Sequence, residues 1–148
     1  MQKLPLDILN LQGDGYHLLL EVHLFDRPFK MVLDTGASKT VLDKNTLLAA
    51  GITEAEFQVT DILSTGLGTN SMESFIVHIP ELQIGNWKAK NLYTAVLDLS
   101  AINFAYEQMN HSPVVGVLGS DILLQYGAII DYKKCCLSLN KRPRKLTL

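Results

Sequence analysis

The sequence lacks the features that mark disulfide-rich, membrane-spanning and secreted proteins. Its two cysteines, Cys135 and Cys136, are adjacent, so the chain has no disulfide framework, and a reducing compartment fits. The apolar runs are short, as at residues 18–20, whereas a membrane helix needs roughly 18 or more apolar residues. Residues 1–12 lack the basic start, apolar core and cleavage site of a signal peptide. We therefore expect a soluble, cytoplasmic protein without a membrane partner.

Charge of one sign is also lacking. The 148 residues include 13 Lys and Arg against 15 Asp and Glu, which gives a formal net charge of −2. Without a bulk positive field, we expect no nucleic-acid partner. The hydrophobic content of 47% argues against disorder, and the length suffices for one core but not for two ordinary domains. The sequence predicts one domain over residues 1–148, with a core at about 16–140 and a solvated basic tail at 141–148.

Patterns typical of metal and cofactor sites are absent from the sequence. The four histidines, His17, His23, His78 and His111, do not have the spacing of metal ligands. The glycine-containing segment at residues 66–68 lacks the third glycine and the lysine of a phosphate-binding loop. We therefore expect no metal and no cofactor.

Short apolar or alternating segments separated by turn residues predict a mostly β protein with two or three short helices. The predicted strands cover residues 16–25, 29–33, 57–63, 74–79, 82–84, 92–97, 114–118, 128–131 and 135–139. The predicted helices cover residues 43–51, 99–109 and 121–126, with Gly51 and Gly127 at left-handed positions that end two of them. Residues 64–70 are polar and contain glycine, which is typical of a hairpin tip.

The most informative segment is an apolar strand, residues 31–33, that runs directly into Asp34, Thr35 and Gly36. A carboxylate at the end of a buried strand is costly unless hydrogen-bond donors meet it. Gly36 leaves backbone amides able to approach the carboxylate, and Thr35 offers a hydroxyl to a neighbouring segment. The alternative interpretation is a polar turn, in which Asp34 caps the chain reversal and Ser38 opens the following helical segment.

A second apolar strand, residues 115–118, also runs into a glycine and then a short helix. Gly119 allows close approach of the backbone, so we expect this strand to pass beside the Asp34 loop. The order along the chain is an acid loop, a glycine-bearing hairpin tip, an apolar-apolar-glycine segment and a helix. With these motifs in this order, the sequence resembles the retropepsin-like aspartic proteases, the single-lobe relatives of pepsin, and especially their short bacterial members.

The resemblance covers roughly residues 16–140 and implies an all-β fold, a closed barrel-like lobe with a flap hairpin. It also implies roles for single residues. Asp34 matches the catalytic aspartate, Thr35 the residue whose hydroxyl locks two active-site loops together, and Gly36 a glycine of the substrate cleft. Substrate contacts are implied for the loop and the flap tip, at Ala37, Ser38, Gly66, Leu67 and Gly68. A structural role beside the site is implied for Leu118 and Gly119.

The implied activity is that of an aspartic endopeptidase, which needs two carboxylates that share a proton and activate a water. The chain has one Asp-Thr-Gly, because Asp98, Asp121 and Asp131 are not followed by Thr-Gly or Ser-Gly. Asp121 is better interpreted as a first-turn helix acid and Asp131 as a strand-end residue. We therefore predict a homodimer, with a two-fold axis between the two copies of Asp34, that acts on peptides or proteins.

Three questions stay open at this point. The dimer surface is undecided: residues 4–11 and 137–139 are candidates, because viral relatives interleave their terminal strands. The predicted helix in residues 99–113 either covers the interface or cleft or is an amphipathic packing helix. The alternative to the enzyme is a catalytically silent retropepsin-like module that binds peptides or mediates assembly. A third interpretation is a plain β-barrel interaction domain whose Asp-Thr-Gly is a turn.

Overall fold

Strands account for most of the regular structure, as the sequence pattern predicts. The computed structural model describes residues 1–59 and 74–145. The strands are β1 (Gln2–Pro5), β2 (Asp7–Asn10), β3 (Tyr16–Leu24), β4 (Arg27–Leu33), β5 (Val41–Asp43), β6 (Phe57–Val59), β7 (Phe75–Ile84), β8 (Trp87–Leu97), β9 (Gly116–Leu118), β10 (Ile129–Asp131) and β11 (Cys136–Leu139). The helices are α1 (Lys44–Ala49), α2 (Ser100–Gln108) and α3 (Ser120–Gln125), with a 3-10 turn at Glu54–Glu56. No helix within these two ranges is long and apolar enough to span a membrane.

Six of the strands close a barrel, which confirms the predicted fold class. Around the ring the order is β3, β4, β9, β5, β8 and β7, and β7 returns to β3 where His23 pairs with Gln83. The β4–β9 and β5–β8 pairs are parallel and the other pairs are antiparallel. Strands β2 and β6 extend the sheet beyond the ring. The parallel pairs carry the ends of β4 and β9 to the same side of the barrel, where the Asp34 loop begins.

Alternation along β3 divides the buried residues between the two faces of the barrel wall. One face of β3 points to the main core inside the barrel through Leu18, Leu20, Val22 and Leu24. Leu19 points the opposite way and belongs to a second apolar cluster under α2, on the outside of the wall. Because side chains alternate along a strand, burial on both faces means that α2 covers the outer face at this place.

The hairpin between β3 and β4 corrects a predicted boundary. The turn was predicted at residues 26–28, but Phe25 and Asp26 form it, with φ of 51° and 60°. Left-handed conformations at both central residues are typical of the tight two-residue turn that matches strand twist. Strand β4 therefore begins at Arg27.

Strand β7 corrects a second prediction. The predicted strands 74–79 and 82–84 form one continuous strand that contains Pro80. They are joined because β8 is longer than predicted and pairs with both parts in one register, Ile79 with Leu92 and Glu81 with Lys90.

The two ends of the chain pair with each other. Strand β1 is antiparallel to β11, with Leu4 opposite Leu137, and β10 lies on the other side of β11. Leu4, Leu137 and Leu139 are buried in the main core. Of the terminal segments considered as interface strands, β1 and β11 are thus already paired within one chain, whereas β2 lies at the edge of its sheet with β3 as its one partner among the described strands.

Candidate active site

The Asp34 loop begins where β4 ends beside β9. The backbone N–H of Asp34 donates to the carbonyl of Leu118 over 3.0 Å, which fixes the start of the loop to β9. The N–H of Gly36 donates to Asp34 Oδ1 over 2.8 Å, and a Cβ at Gly36 would lie 3.2 Å from that oxygen. Asp34, Thr35 and Gly36 are all exposed. The loop therefore holds one carboxylate oxygen by a backbone amide and leaves the carboxylate open to solvent.

Gly119 lies against the far side of this loop, as its position in the sequence predicts. A Cβ at Gly119 would lie 2.7 Å from the carbonyl carbon and oxygen of Lys39 and 2.8 Å from the carbonyl oxygen of Ala37. The N–H of Ser120 also donates to the carbonyl of Ala37 over 2.8 Å. Only a residue without a side chain permits this approach, so Gly119 brings the start of α3 onto the loop.

Thr40 and Asp121 connect the end of the loop to α3. The N–H of Thr40 donates to both carboxylate oxygens of Asp121, over 3.0 and 3.1 Å, and the Thr40 hydroxyl donates to Oδ1 over 2.8 Å. The same hydroxyl accepts from the N–H of Gly119 over 3.0 Å. Asp121 is the predicted first-turn acid of α3. Its contact with Thr40 was not predicted, because the two residues are 81 positions apart and neither belongs to a recognisable motif.

Asp43 is a second carboxylate at a strand end, and it is buried, with 2% of its surface exposed. It caps α1 by accepting from the N–H of Thr46 over 3.1 Å, and it also accepts from the N–H of Leu99 over 2.9 Å. The amide of Asn103 donates to Asp43 over 3.1 Å and also pairs with the backbone of Val114. Asp43 thereby fastens α1 and α2 to the barrel. This role was not predicted from the sequence, although a buried-strand pattern that ends in an acid before a helix is the signal available for such a cap.

A cavity of about 300 Å³ opens beside Asp34. Its lining includes both polar and apolar side chains: Tyr16, His17, Leu18, Val32, Leu33, Asp34, Thr35, Ile102, Tyr106, Val117, Ile130 and Tyr132. The Tyr106 hydroxyl lies 2.6 Å from Nδ1 of His17. Burial, and to a lesser extent the negative charge of Asp34, raises the pKa of Tyr106. Sequence reasoning did not identify His17 or Tyr106 as neighbours of Asp34, because three separate elements bring them together.

The remaining predicted residues divide between the loop and the part of the chain outside the described residues. Ala37 is half-buried and Ser38 is exposed, and both lie in the loop. Gly66, Leu67 and Gly68, with the predicted flap tip, lie outside the described residues.

A larger groove of about 960 Å³ lies between α1 and α2 and contains no residue of the Asp34 loop. Across residues 1–59 and 74–145, no three His, Cys, Asp or Glu side chains are grouped so as to hold a metal ion.

The chain is similar to known proteins in both sequence and structure. A family model described as aspartyl protease matches residues 20–122. No curated protein sequence matches the chain. Solved structures match over most of the chain. A retropepsin-like aspartic protease from Rickettsia conorii is 20% identical with a TM-score of 0.60 and covers 97% of this chain and 92% of its own.

The other two structures are of eukaryotic and viral origin. The retroviral protease-like domain of Ddi1 from Leishmania major is 16% identical with a TM-score of 0.54, covering 86% of this chain and 90% of its own. EIAV protease, complexed with the inhibitor HBY-793, is 24% identical with a TM-score of 0.51, covering 78% of this chain and 92% of its own. At these identities the structural similarity establishes the fold.

Proposed function

Because the chain belongs to the aspartyl protease family and has a retropepsin-like fold, we propose that it is an aspartic endopeptidase that works as a homodimer. The observation that carries the proposal is the state of Asp34, an exposed carboxylate on a loop fixed by hydrogen bonds to β9 and by close contact with α3. Each chain supplies one Asp-Thr-Gly, so two chains are needed for two such carboxylates.

The reaction follows from placing two Asp34 carboxylates side by side. Like charges at close range disfavour double ionisation, so the pair shares one proton. The ionised carboxylate takes a proton from a water, whose oxygen attacks the peptide carbonyl carbon while the protonated carboxylate donates to the carbonyl oxygen. The carbon–nitrogen bond then breaks as the carboxylate that took the water proton gives it to the amide nitrogen, while the other carboxylate takes a proton from a hydroxyl of the tetrahedral intermediate. The pair again holds one proton and is ready for another cycle.

The neighbours of Asp34 have supporting roles in this proposal. Thr35 locks the two loops together across the two-fold axis, and Gly36 leaves room for the substrate backbone. Ala37 and Ser38 line the path of an extended peptide, and substrate contacts are also proposed for Gly66, Leu67 and Gly68, which lie outside the described residues. An extended peptide binds such a site mainly through strand-like backbone hydrogen bonds.

We assign the dimer surface to the face around Thr35 and β10. Strand β10 has one partner, β11, among the described strands, and Ile129 on it is 54% exposed. Thr35 and Ile130 both line the cavity beside Asp34 and a second cavity of about 330 Å³ that reaches Leu124. An unpaired strand edge with exposed apolar side chains, next to the loop that has to meet its copy, is a suitable surface for a second chain.

The catalytic part of the proposal is tested by cleavage of an unstructured protein across pH ~4–7, because the mechanism needs one protonated and one ionised carboxylate. The wild type should cleave with a bell-shaped pH profile, and Asp34→Asn should abolish cleavage. Asp26→Asn, in the β3–β4 turn, is the matched control and should retain full activity. Cleavage that survives Asp34→Asn would overturn the mechanism.

The dimeric part is tested by analytical ultracentrifugation of wild type and Ile129→Lys. The charge at the β10 edge should give monomers and remove cleavage, whereas Tyr93→Lys, on exposed β8 surface, should leave the dimer intact. A monomer that still cleaves in an Asp34-dependent way would contradict the proposal. A dimer that binds peptides without cutting them would instead identify the silent peptide-binding module.

A further inference from the structure

Helix α2 is in direct contact with the strands that carry the Asp34 loop. Tyr106 is 2% exposed and belongs to the apolar cluster that contains Val32 of β4 and Val117 of β9. Ile102 packs on the same cluster from one helical turn earlier. The two side chains therefore form one face of α2, and this face is turned to the barrel wall beside the loop.

The same face of α2 lines the cavity that opens at Asp34. Val32 and Val117 belong to its barrel side, Ile102 and Tyr106 to its helix side, and Asp34 also lines it. In the β3–β4 register Leu18 pairs with Leu33, and His17, which precedes Leu18, lines the same cavity as Asp34. The hydrogen bond between the Tyr106 hydroxyl and His17 fixes the orientation of both rings.

We propose that helix α2 determines which substrate side chain is accepted beside the scissile bond, with Ile102 and Tyr106 as the specificity-determining residues. This inference rests on the proposed function. The carbonyl that is attacked has to reach a water held at Asp34, so the adjoining side chain has to enter a cavity that opens at Asp34. In a two-fold symmetric site each subunit contributes one such cavity. Ile102 and Tyr106 therefore select the substrate side chain on both sides of the scissile bond.

The lining defines the preferred chemistry of that side chain. Val32, Val117 and Ile102 give an apolar surface, which favours an apolar side chain. The carboxylate of Asp34 disfavours an acidic one. The ring of Tyr106 and the side chain of Ile102 limit its size, since both belong to the helix wall rather than to the barrel.

The test uses peptides that differ only in the residue before the scissile bond, with leucine, tryptophan or glutamate at that position. Ile102→Ala should raise the ratio of kcat/KM for the tryptophan peptide over the leucine peptide by about tenfold, and Ile102→Phe should lower it by a similar factor. Tyr106→Leu should act as Ile102→Ala does, whereas Tyr106→Phe, which keeps the ring, should retain the wild-type ratio. The glutamate peptide should be the poorest substrate throughout.

Phe104→Ala is the matched control, because Phe104 is on the same helix, 63% exposed, and lines the groove between α1 and α2 instead. Its tryptophan-to-leucine ratio should equal that of the wild type. If Ile102→Ala and Ile102→Phe are active but their tryptophan-to-leucine ratios of kcat/KM equal that of the wild type, the inference is overturned and the proposed function still stands.

A binding measurement keeps the two proposals distinguishable. Fluorescently labelled forms of the same peptides are titrated into Asp34→Asn protein with and without the Ile102 substitutions. The dissociation constants should change in the same direction as the kcat/KM ratios. If the wild type does not cleave at all, the proposed function fails, and equal peptide selectivity in all Ile102 variants then overturns this inference as well.

Discussion

Two aspartates, Asp34 and Asp43, lie at the ends of strands that flank β9, and both are fastened there by a backbone N–H that donates to the β9 segment. Their side chains differ in burial and in the hydrogen bonds that they accept. The Asp43 carboxylate is buried and accepts from Thr46, Leu99 and Asn103, whereas Asp34 is exposed and accepts from the N–H of Gly36 within its own loop. A carboxylate whose acceptor sites are filled by the protein holds elements together. One that is left open retains the capacity to bind a water and to exchange a proton.

The largest expected effect is on activity at Asp34. We expect Asp34→Asn to reduce kcat/KM by about 10³-fold or more, because an amide neither takes nor shares the proton. The free energy of unfolding of this variant, measured in urea, should stay within about 0.5 kcal/mol of the wild type, because the side chain is exposed. A large loss of stability would mean that the Asp34 carboxylate, like that of Asp43, holds elements of the fold together.

The largest expected effect on stability is at Asp43. Asp43→Ala removes the cap of α1 and the carboxylate that accepts from the N–H of Leu99 and from the amide of Asn103, which we expect to cost about 3 kcal/mol of unfolding free energy. Urea denaturation followed by circular dichroism measures this value. Asp14→Ala, at an exposed loop aspartate, is the control and should be nearly neutral. A neutral Asp43→Ala would refute the structural role.

A smaller effect is expected at Thr40. Thr40→Val keeps the shape but removes the hydroxyl that joins Gly119 to Asp121, which we expect to cost about 1–2 kcal/mol. Thr94→Val is a matched control, since the Thr94 hydroxyl is also buried and finds no hydrogen-bond partner among the described residues. Thermal unfolding should show Thr94→Val at or above the wild-type midpoint. Equal losses for both variants would mean that the Thr40 link contributes little.

The smallest expected effect is on the pH dependence of stability. Burial raises the pKa of both Tyr106 and Tyr126 above 10.0, and the charge of Asp34 adds to the shift of Tyr106. A raised pKa favours the protonated phenol in the folded state, so this contribution is present below pH 10 and is lost as pH rises through the folded-state pKa. Stability should therefore fall more steeply above pH 10 in the wild type than in Tyr106→Phe.

The same titration tests whether the charge of Asp34 changes the pKa of Tyr106. Phenolate absorbance should show that Asp34→Asn lowers the pKa of Tyr106 and leaves that of Tyr126 unchanged, because only Tyr106 is affected by the Asp34 charge. An equal change at both tyrosines would indicate a general loosening of the fold instead.

The sequence was most informative where local chemistry decides the structure. Alternation predicts most of the barrel strands, Gly51 and Gly127 have the left-handed φ expected at the ends of helices, and Gly119 lies against the Asp34 loop. Each of these depends on a residue's own conformation or on the absence of a side chain. The retropepsin-like resemblance was also sufficient to identify the fold.

What the sequence did not predict depends on contacts between distant residues. Thr40 meets Asp121, and His17 meets Tyr106, across separations of 81 and 89 positions. The pairing of β1 with β11 inside one chain is of the same kind, since the sequence of a terminal strand does not specify whether its partner is its own chain or a copy. Such contacts follow from the closed barrel as a whole and not from any one segment.

The pairing of β1 with β11 separates folding from dimerisation in the proposed enzyme. Because Leu4 and Leu137 are buried within one chain, folding does not have to wait for a second copy. Folding and dimerisation then have separate equilibrium constants, and for the dimeric enzyme proposed above the paired fraction follows mass action. At concentrations below the dissociation constant, activity per molecule rises in proportion to the amount of protein present. For the proposed enzyme, synthesis and dilution would thus change the activity per molecule as well as the number of molecules.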